Sequence, residues 1–534
     1  MSDEKLPGAV HPAGPLVTSG PDYVTVDTFG GKVRVTWDDE APMTPVGQVA
    51  FFIDFLKTAG LYLPWVQDCP LHRTSPNASD VPDVLGTAFL SVLAGNWRYA
   101  HAAALRCDRV TPGLLGMSKA VSEDTVRRAF LKADPEACAA WQWQHLRRTY
   151  EPLLYEPYVL DLDVTVKPLY GRQEGATVGY NPTKPGRPSH VLHTYFIANL
   201  RLVLDVEVHA GHETAACYTR PGFWRYLDGL DRAAWPRFLR GDVAFGNDGM
   251  MSEAESRGLA YLFKLRMSRN AQELVRLVSA PGTVWADAGQ GWEGVASRLS
   301  LQGWSRERRV VVLRRRLGQP RRRARKNAKG GTPFLPFFAV VPEAEHYEYA
   351  ILVTSLPDPI FTLAQHYRDR GDAENNFDEL KNQWGWGGFV TQDLKRTQIM
   401  ARITAQTYNW WTIFVRLAVP DKHLEGITSR PLLLHSIGRQ TQHGHQTTLH
   451  LTAMHADRGL AKAILVKIGT FFNLIRAYAE QLSRQQAWLH ILSLAFRWFL
   501  RGRPLSGPPS AAAGRQIMGA LPLLPLQTSI NCGF

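Results

Sequence analysis

The spacing of hydrophobic positions divides the chain into helical and strand-like regions. From Pro45 to about Leu153, apolar residues recur at intervals of three and four, which predicts helices. From Tyr158 onward, short runs of Val, Leu, Ile and Tyr are broken by Gly and Pro, which predicts strands. A further strand at Tyr347–Leu356 precedes helical spacing from about Pro359 to Gln383 and beyond. The pattern indicates a mixed α/β fold.

The strand-like region has a particular order. Its segments are YVLDLDVTV, GATVGY, HVLHTYFIANL, LVLDVEVHA and RFLRGDVAF, with a helical stretch from Ala215 to Trp235 before the last. Adjacent strands followed by a helix and another strand are typical of an RNase H-like sheet, although another α+β domain fits nearly as well. Before this region, Tyr23 to Trp37 alternates around Gly30 and Gly31 as in a β-hairpin.

The net charge of +13 and the pI of about 9.5 favour a polyanionic partner such as a nucleic acid. The five cysteines are widely separated, which excludes a disulfide scaffold or a paired zinc site and indicates a reducing cytoplasm. We expect no membrane association, because no apolar run approaches the roughly 20 residues that a span needs and no signal peptide is recognisable.

The predicted helix after Tyr347–Leu356 carries the most specific chemistry. Its residues Tyr367, Arg370, Glu374 and Lys381 are spaced by three, four and seven, so an uninterrupted helix presents them on one face. One carboxylate flanked by cations suits a metal ion surrounded by DNA phosphates. An ordinary amphipathic helix with an Arg370–Glu374 ion pair explains the spacing equally well.

A family resemblance favours the first interpretation. The pattern Tyr367-x2-Arg370-x3-Glu374-x6-Lys381 resembles the Y-x2-R-x3-E-x6-K signature of bacterial insertion-sequence DDE transposases. The resemblance implies an RNase H-like catalytic core with two further aspartates, one on the opening strand before x-Thr and one ending a later strand. Asp163 and Asp242 match those positions. Asp163, Asp242 and Glu374 are therefore the predicted catalytic and metal-binding residues, with Mg2+ as cofactor and Mn2+ as a substitute.

Other acidic residues compete for these roles. Asp161 rivals Asp163 as the first metal ligand, because strand alternation puts both on the same face. We prefer Asp163 because x-Thr follows it. Asp205, Glu207 and Asp248 lack a flanking pattern and are expected to be surface or turn residues.

Several positions are expected to contact DNA. Tyr367, Arg370 and Lys381 would hold DNA beside the carboxylates. Arg127 and Arg128 lie on a predicted helix that resembles half of a helix-turn-helix, which plain helix packing explains equally well. Arg322 and Arg323 belong to a basic run for which we favour DNA contact over a solvated loop, and Lys184, Arg187 and His190 could touch phosphate in a segment that Pro and Gly make first of all a turn. Any of Trp285, Trp292 or Trp304 could stack on an unpaired base, although core packing is the more common role.

Together the pattern and the resemblance predict an RNase H-like catalytic core interrupted by a mainly β insertion, with helical N- and C-terminal regions. The predicted segments are a flexible arm and hairpin (1–44), a helical DNA-binding domain (45–153), the first part of the core (154–271), a basic β-rich insertion (272–345), the second part of the core with the Glu-bearing helix (346–420), and a C-terminal helical region for dimerisation (421–534).

The resemblance implies transposition by a two-metal mechanism, with cleavage at transposon ends and strand transfer into target DNA. The expected partners are double-stranded DNA, comprising terminal inverted repeats and target, and a second subunit in a homodimer. Leu465, Ile468, Phe472, Ile475 and Leu482 are candidates for the subunit contact, or for the core of one chain. A non-mobile RNase H-like nuclease and an inactive DNA-binding protein are the alternatives.

Overall fold

The structure is a computed structural model that describes residues 23–72, 75–154, 157–181, 184–213, 216–317, 347–452 and 457–481. Three predicted features lie outside the described residues: the arm before residue 23, the part of the basic run that contains Arg322 and Arg323, and Leu482.

Fifteen helices and fifteen strands are named here in chain order within the described part. The helices are α1 Val49–Thr58, α2 Tyr62–Gln67, α3 Val81–Leu93, α4 Ala102–Leu105, α5 Thr111–Leu114, α6 Glu123–Lys132, α7 Pro135–Tyr150, α8 Ala216–Asp228, α9 Asp248–Ser256, α10 Arg269–Val278, α11 Ile360–Arg368, α12 Arg370–Gln383, α13 Leu394–Ala418, α14 Gly426–Leu433 and α15 Arg458–Gln481. The strands are β1 Val24–Thr28, β2 Gly31–Val35, β3 Met43–Thr44, β4 Val159–Pro168, β5 Thr177–Val178, β6 Pro188–Ile197, β7 Leu202–Ala210, β8 Phe238–Gly241, β9 Ala260–Lys264, β10 Ala286–Gly289, β11 Trp292–Leu299, β12 Arg308–Arg316, β13 Tyr347–Thr354, β14 Gly438–His443 and β15 Gln446–Leu451.

A ten-stranded sheet forms the centre of the molecule. Strands β4, β6 and β7 follow one another as antiparallel neighbours, and β8 and β9 then lie parallel to β4 on its other side. The spatial order β7-β6-β4-β8-β9, with α8 and α9 in the crossovers, is the RNase H-like arrangement that the resemblance implied. Strands β10 to β13 continue this sheet through the antiparallel pairing of β13 with β9. The β-rich segment thus extends the core sheet.

Helix α13 connects the sheet to the N-terminal helices. It is buried on nearly all sides, with 20 of its 25 residues in the core, as expected for a helix surrounded by protein. Toward the N-terminal helices, Trp410 packs edge-on against Trp65, with ring centroids 5.6 Å apart, and Trp411 packs likewise against Phe52 at 5.0 Å. The N-terminal helical region therefore shares its core with the ten-stranded sheet.

On the opposite side, α13 covers the edge strand β7. The side chain of Asn409 accepts from the backbone N–H of Val203 and donates to its carbonyl, both at 2.8 Å. Gln398 does the same farther along the strand, at 2.7 Å to the N–H of Val208 and 2.8 Å to the carbonyl of Val206. Two amide side chains thus replace a neighbouring strand and protect an edge that would otherwise be free to pair with another chain.

A buried ion pair fixes the same interface. The guanidinium of Arg402 on α13 contacts both carboxylate oxygens of Asp205 on β7, each at 2.9 Å, and also donates to the hydroxyl of Tyr226. Asp205 is fully buried, so the expectation that it is a surface or turn residue is wrong. Because α13 packs on β7, side chains on both faces of this strand are covered. A carboxylate buried there must be paired with a cation.

Two expectations about local structure need correction. The helix predicted as continuous from Pro359 to Gln383 is divided into α11 and α12 at Asp369, where the hydrogen bonding changes from an i→i+4 to an i→i+3 pattern. The C-terminal region, predicted as helical, also contains the hairpin β14–β15, whose residues are mostly polar and give no helical apolar stripe.

The helix α15 packs on its own chain. Leu465, Ile468, Phe472 and Ile475 are all buried there, and Phe472 contacts Phe55 of α1 with ring centroids 6.0 Å apart. Of the two interpretations of these residues, the structure supports core burial, so they are not available for subunit contact. No helix in the described ranges combines the length and apolarity needed to cross a bilayer.

We expect Asp205→Ala to lower the free energy of unfolding by about 3–5 kcal/mol, because the buried Arg402 loses its counter-charge. Chemical denaturation measures the loss. The exposed pair Arg276–Glu273, at 2.6 Å, provides the control: Glu273→Ala should change stability by less than about 1 kcal/mol. Equal effects of the two substitutions would contradict the role assigned to the buried pair.

Candidate active site

The register of two parallel strands places the two predicted aspartates side by side. Strands β4 and β8 pair from Val159 with Phe238 up to Leu162 with Gly241. Asp163 and Asp242 are the next residues on each chain, at the point where β8 ends. Neighbouring strands lie about 4.8 Å apart, so the two carboxylates are adjacent. A carboxylate oxygen of Asp242 accepts from the backbone N–H of Ala244 at 2.9 Å, which fixes the turn after β8.

Helix α12 brings a cation and the third carboxylate to this point. The guanidinium of Arg370 bridges two acids, with Nη2 2.9 Å from Oδ1 of Asp163 and Nη1 2.9 Å from Oε1 of Glu374. The side chain of Arg370 is 8% exposed, whereas that of Glu374 is 70% exposed. Glu374 is thus held loosely at the rim, while Arg370 is fixed in the interior.

The pKa of Asp163 is shifted by burial and by the charges around it. Burial raises its pKa to about 6; Arg370 opposes the rise, and the charges of Asp242 and Glu374 add to it. Its Oδ1 is paired with Arg370, but among the described residues no hydrogen bond reaches Oδ2. One oxygen of a mostly buried carboxylate is therefore left for a ligand.

Tyr367 and Lys381 complete the predicted set. Burial raises the pKa of Tyr367 to about 12, with Arg370 opposing the rise and Asp242 and Glu374 contributing to it. Lys381 is exposed, and its charge lowers the pKa of Asp163. Although Asp369 interrupts the helix, the charges of Asp242, Arg370, Glu374 and Lys381 all act on Asp163, and the first three of them also act on Tyr367.

Asp161 has a different role from Asp163. It is fully buried, and Arg240 on β8 contacts both of its oxygens, through Nε at 2.5 Å and Nη2 at 2.7 Å. Arg240 also donates to the carbonyl of His366, near the end of α11. Both oxygens of Asp161 are thus used within the fold, and the pair connects the sheet to the helices that carry Tyr367 and Glu374.

Sequence reasoning did not identify Arg240, although a signal exists. Arg240 precedes Asp242 by two residues, just as Asp161 precedes Asp163. Because side chains two apart share a strand face, opposite charges at matching positions of neighbouring strands indicate a pair.

The remaining acidic candidates also have internal partners. Glu207 on β7 accepts a hydrogen bond from Tyr195, and burial raises its pKa to about 7. Asp248, at the start of α9, accepts from Arg308 at 2.7 Å and from the backbone and hydroxyl of Ser305, both at 2.9 Å. These contacts give each residue a structural function away from Asp163.

The described residues include no group of three or more His, Cys, Asp or Glu side chains already arranged to hold a metal ion. The guanidinium of Arg370 lies where two of the three carboxylates meet. The donor set nevertheless suits a hard divalent ion, which prefers carboxylate oxygens. Within the described ranges, no hydrogen bond reaches Oδ2 of Asp163, and the side chain of Glu374 is exposed beyond its contact with Arg370.

Comparison with known proteins identifies the family. The family model described as Transposase DDE domain group 1 matches residues 70–471, three quarters of the chain. The chain belongs to this family of DDE transposases. Its function is transposition of DNA, and members of the family generally use divalent metal ions.

A search of curated proteins gave no match. Among solved structures, the chain is similar to the piggyBac transposase in its synaptic complex with hairpin DNA, with 10% sequence identity and a TM-score of 0.35. That match covers 88% of this chain and 87% of the other.

The candidate DNA-contact residues of the transposase lie in different settings. On α6, Arg127 is half-buried and Arg128 is exposed, and they pair with Asp124 at 2.6 and 3.4 Å, respectively. Ser122 caps this helix by accepting from the N–H of Thr125 at 3.3 Å. The loop residues differ more. Lys184 and Arg187 are exposed and each lies 4.9 Å from the ring centre of Tyr170.

The prediction that His190 contacts phosphate is wrong. His190 is fully buried, and its Nε2 lies 2.7 Å from the carbonyl oxygen of Glu174. Its position on β6, opposite Lys167 of β4, directs it into the covered sheet instead of the loop surface.

Each candidate tryptophan of the transposase is covered by an arginine. The guanidinium carbons of Arg314, Arg315 and Arg308 lie over Trp285, Trp292 and Trp304 at 3.9, 4.9 and 5.3 Å, respectively. A base could stack on these rings only if the arginine moved or shared the stack.

The pKa of Glu207 predicts a pH effect on the stability of the transposase. Its folded-state value of about 7 exceeds the reference of 4.5, so its contribution is greatest below the reference value and is lost as pH rises through about 7. Relative to wild type, Glu207→Gln should therefore gain about 2–3 kcal/mol between pH 5 and pH 8. Denaturant titrations at both pH values measure this gain. Glu273→Gln is the exposed control, and an offset for Glu207→Gln that does not change with pH would refute the assignment.

Proposed function

We propose that this transposase cleaves transposon ends and joins them to target DNA with Asp163, Asp242 and Glu374 as its catalytic carboxylates. The observation that carries the proposal is the convergence of three acidic side chains from β4, β8 and α12 around Arg370. Their separation in sequence argues against a local charge cluster, because chain folding alone brings them together.

The three carboxylates would hold Mg2+, or Mn2+ in its place, and the bound ions would supply Lewis acidity for attack at the scissile phosphate. Asp163 contributes a fixed ligand, since its strand is paired on both sides. Glu374 contributes a mobile one, since its side chain projects from the rim and is held by Arg370 alone among the described residues. Ion binding would then depend on the release of Glu374 from Arg370.

The cations beside the carboxylates would position DNA. Once Glu374 turns away, the Nη1 of Arg370 is free to donate to a phosphate oxygen while Nη2 remains on Asp163. Lys381 lies two turns beyond Glu374 on the same helix, and its exposed ammonium group would contact the backbone of the same DNA strand. Tyr367 would lie against the DNA through its ring and its hydroxyl, which the raised pKa keeps protonated at neutral pH.

We further propose that the chain belongs to the bacterial insertion-sequence group with the Y-x2-R-x3-E-x6-K signature, and that it acts on terminal inverted repeats in the cytoplasm, at the nucleoid. Paired ends require two active sites, so a homodimer on double-stranded DNA is the expected assembly. Because Leu465 and its neighbours are buried, the subunit contact must use other surfaces.

We expect Glu374→Gln to retain DNA binding and to lose end cleavage by at least about a thousandfold, because the amide keeps the shape but not the charge that holds a metal ion. A gel assay with labelled end DNA and Mg2+ measures cleavage. Asp378→Asn is the matched control: it lies one turn away on α12, is exposed, and bonds only to Asn382 among the described residues, at 2.7 Å. Cleavage by Glu374→Gln at the wild-type rate would remove this residue from the mechanism.

Lys381→Ala should slow strand transfer by about tenfold while preserving stability, because an exposed charge is lost and no packing changes. Rates of joining precut ends to a target plasmid measure this step. Lys422→Ala, another exposed lysine, should transfer at the wild-type rate. If both variants transfer equally fast, Lys381 does not position the DNA.

A further inference from the structure

The hairpin β14–β15 has a polar outer face, on which the hydroxyl of Thr441 and Nε2 of His450 hydrogen-bond across the strands at 3.0 Å. Cross-strand pairing aligns Arg439 with His450, Thr441 with Thr448, and His443 with Gln446. These six residues share one side of the two strands, called here the ribbon face. All are exposed except Thr441, which is half-buried. The ribbon face is thus a row of hydrogen-bonding side chains without an apolar member.

The other side of the hairpin attaches it to the body. Its apolar residues Leu449 and Leu451 lie on this side near the base, where Leu451 packs so closely on Gly47 that a Cβ there would come within 2.5 Å. Strand β3 pairs with the base of β14, and Gln48 donates to the carbonyls of Leu432 and His435 at 3.1 and 3.0 Å. The base is fixed while the rest of the ribbon projects.

The charge of the ribbon favours a polyanion. No Asp or Glu occurs from Gly426 to Ala456, although the chain has 48 acidic residues in total. The acidic residues Asp38, Asp39 and Glu40 precede β3, which pairs with the β14 side of the hairpin, and β15 is the free edge of this three-stranded sheet. A phosphate can therefore approach the β15 side and the tip without meeting a carboxylate of the hairpin.

From these observations we propose that the ribbon face is a contact surface for double-stranded DNA. The major groove of B-DNA accepts a two-stranded β-ribbon, and Arg, Gln and Thr are side chains that donate to base edges and phosphates. An isolated two-stranded hairpin is only marginally stable in water. Attachment at its base therefore keeps this ribbon folded while its exposed end remains able to enter a groove. This inference rests on the proposed function, because it takes the DNA handled by the active site as its ligand.

The test compares two matched double variants of the full chain. Arg439→Ala/Gln446→Ala changes one charged and one neutral side chain of the ribbon face. The control, Thr25→Ala/Arg34→Ala, likewise removes one charged and one neutral polar side chain, from two paired residues of the other exposed hairpin, β1–β2. Fluorescence anisotropy without divalent metal measures Kd for two labelled duplexes, one carrying the transposon end and one of scrambled sequence. Melting temperatures verify that both variants are folded.

We expect the ribbon variant to bind the end duplex at least about tenfold more weakly, and the slope of log Kd against log salt to fall by about one, because a phosphate or base contact of Arg439 is lost. The β1–β2 variant should bind as wild type does. A loss on both duplexes supports backbone contact, and a loss confined to the end duplex supports reading of bases.

Wild-type affinity of the ribbon variant for both duplexes would overturn the inference, as would an equal loss in the two variants, which would reflect bulk charge. A change in subunit association with unchanged DNA affinity would overturn it too. These outcomes leave the proposed function intact. Absence of DNA binding by the wild-type chain would contradict the proposed function itself.

Discussion

The pairing of buried aspartates with arginines is the interaction on which the catalytic sheet depends. Asp161, Asp205 and Asp163 lie on its central and edge strands and are matched by Arg240, Arg402 and Arg370. Removing such a charge from water is costly, so each pair must form for the sheet to be covered by helices. In the first two pairs, both carboxylate oxygens are satisfied. In the third, one oxygen of Asp163 remains open, and this difference marks the candidate site.

Two of these ion pairs also fix the positions of helices α11 and α12 relative to the sheet. Arg240 contacts Asp161 and the carbonyl of His366, which holds the end of α11 against β4 and β8. The short break at Asp369 then redirects the chain, and Arg370 anchors the start of α12 on Asp163. Glu374 is thereby placed one turn beyond a fixed residue. The site is thus built on rigid elements, and in the proposed mechanism the exposed Glu374 would supply the movement needed to admit an ion.

The candidate DNA-contact surfaces differ in whether their arginines have partners within the protein. Arg127 and Arg128 on α6 are offset by Asp124, and the tryptophans beyond β9 are covered by arginines. The ribbon face of β14–β15 has no such internal partner for Arg439 among the described residues. Arg439 is thus an exposed cation that the described part of the chain leaves available for an external partner.

The sequence by itself determined the element types, the basic character and the four-residue pattern from Tyr367 to Lys381, because periodicity and spacing are local properties of a chain. It also singled out Asp163 and Asp242, but only by resemblance, and strand alternation alone left Asp161 as a rival of Asp163, since both share a strand face. The tertiary structure distinguished them: Arg240, 79 residues from Asp161, takes both oxygens of one and leaves the other open. The burial of Asp205 and His190, the break at Asp369 and the β14–β15 hairpin were likewise decided by packing. Each depends on partners distant in sequence, and no local pattern encodes which surface will be covered.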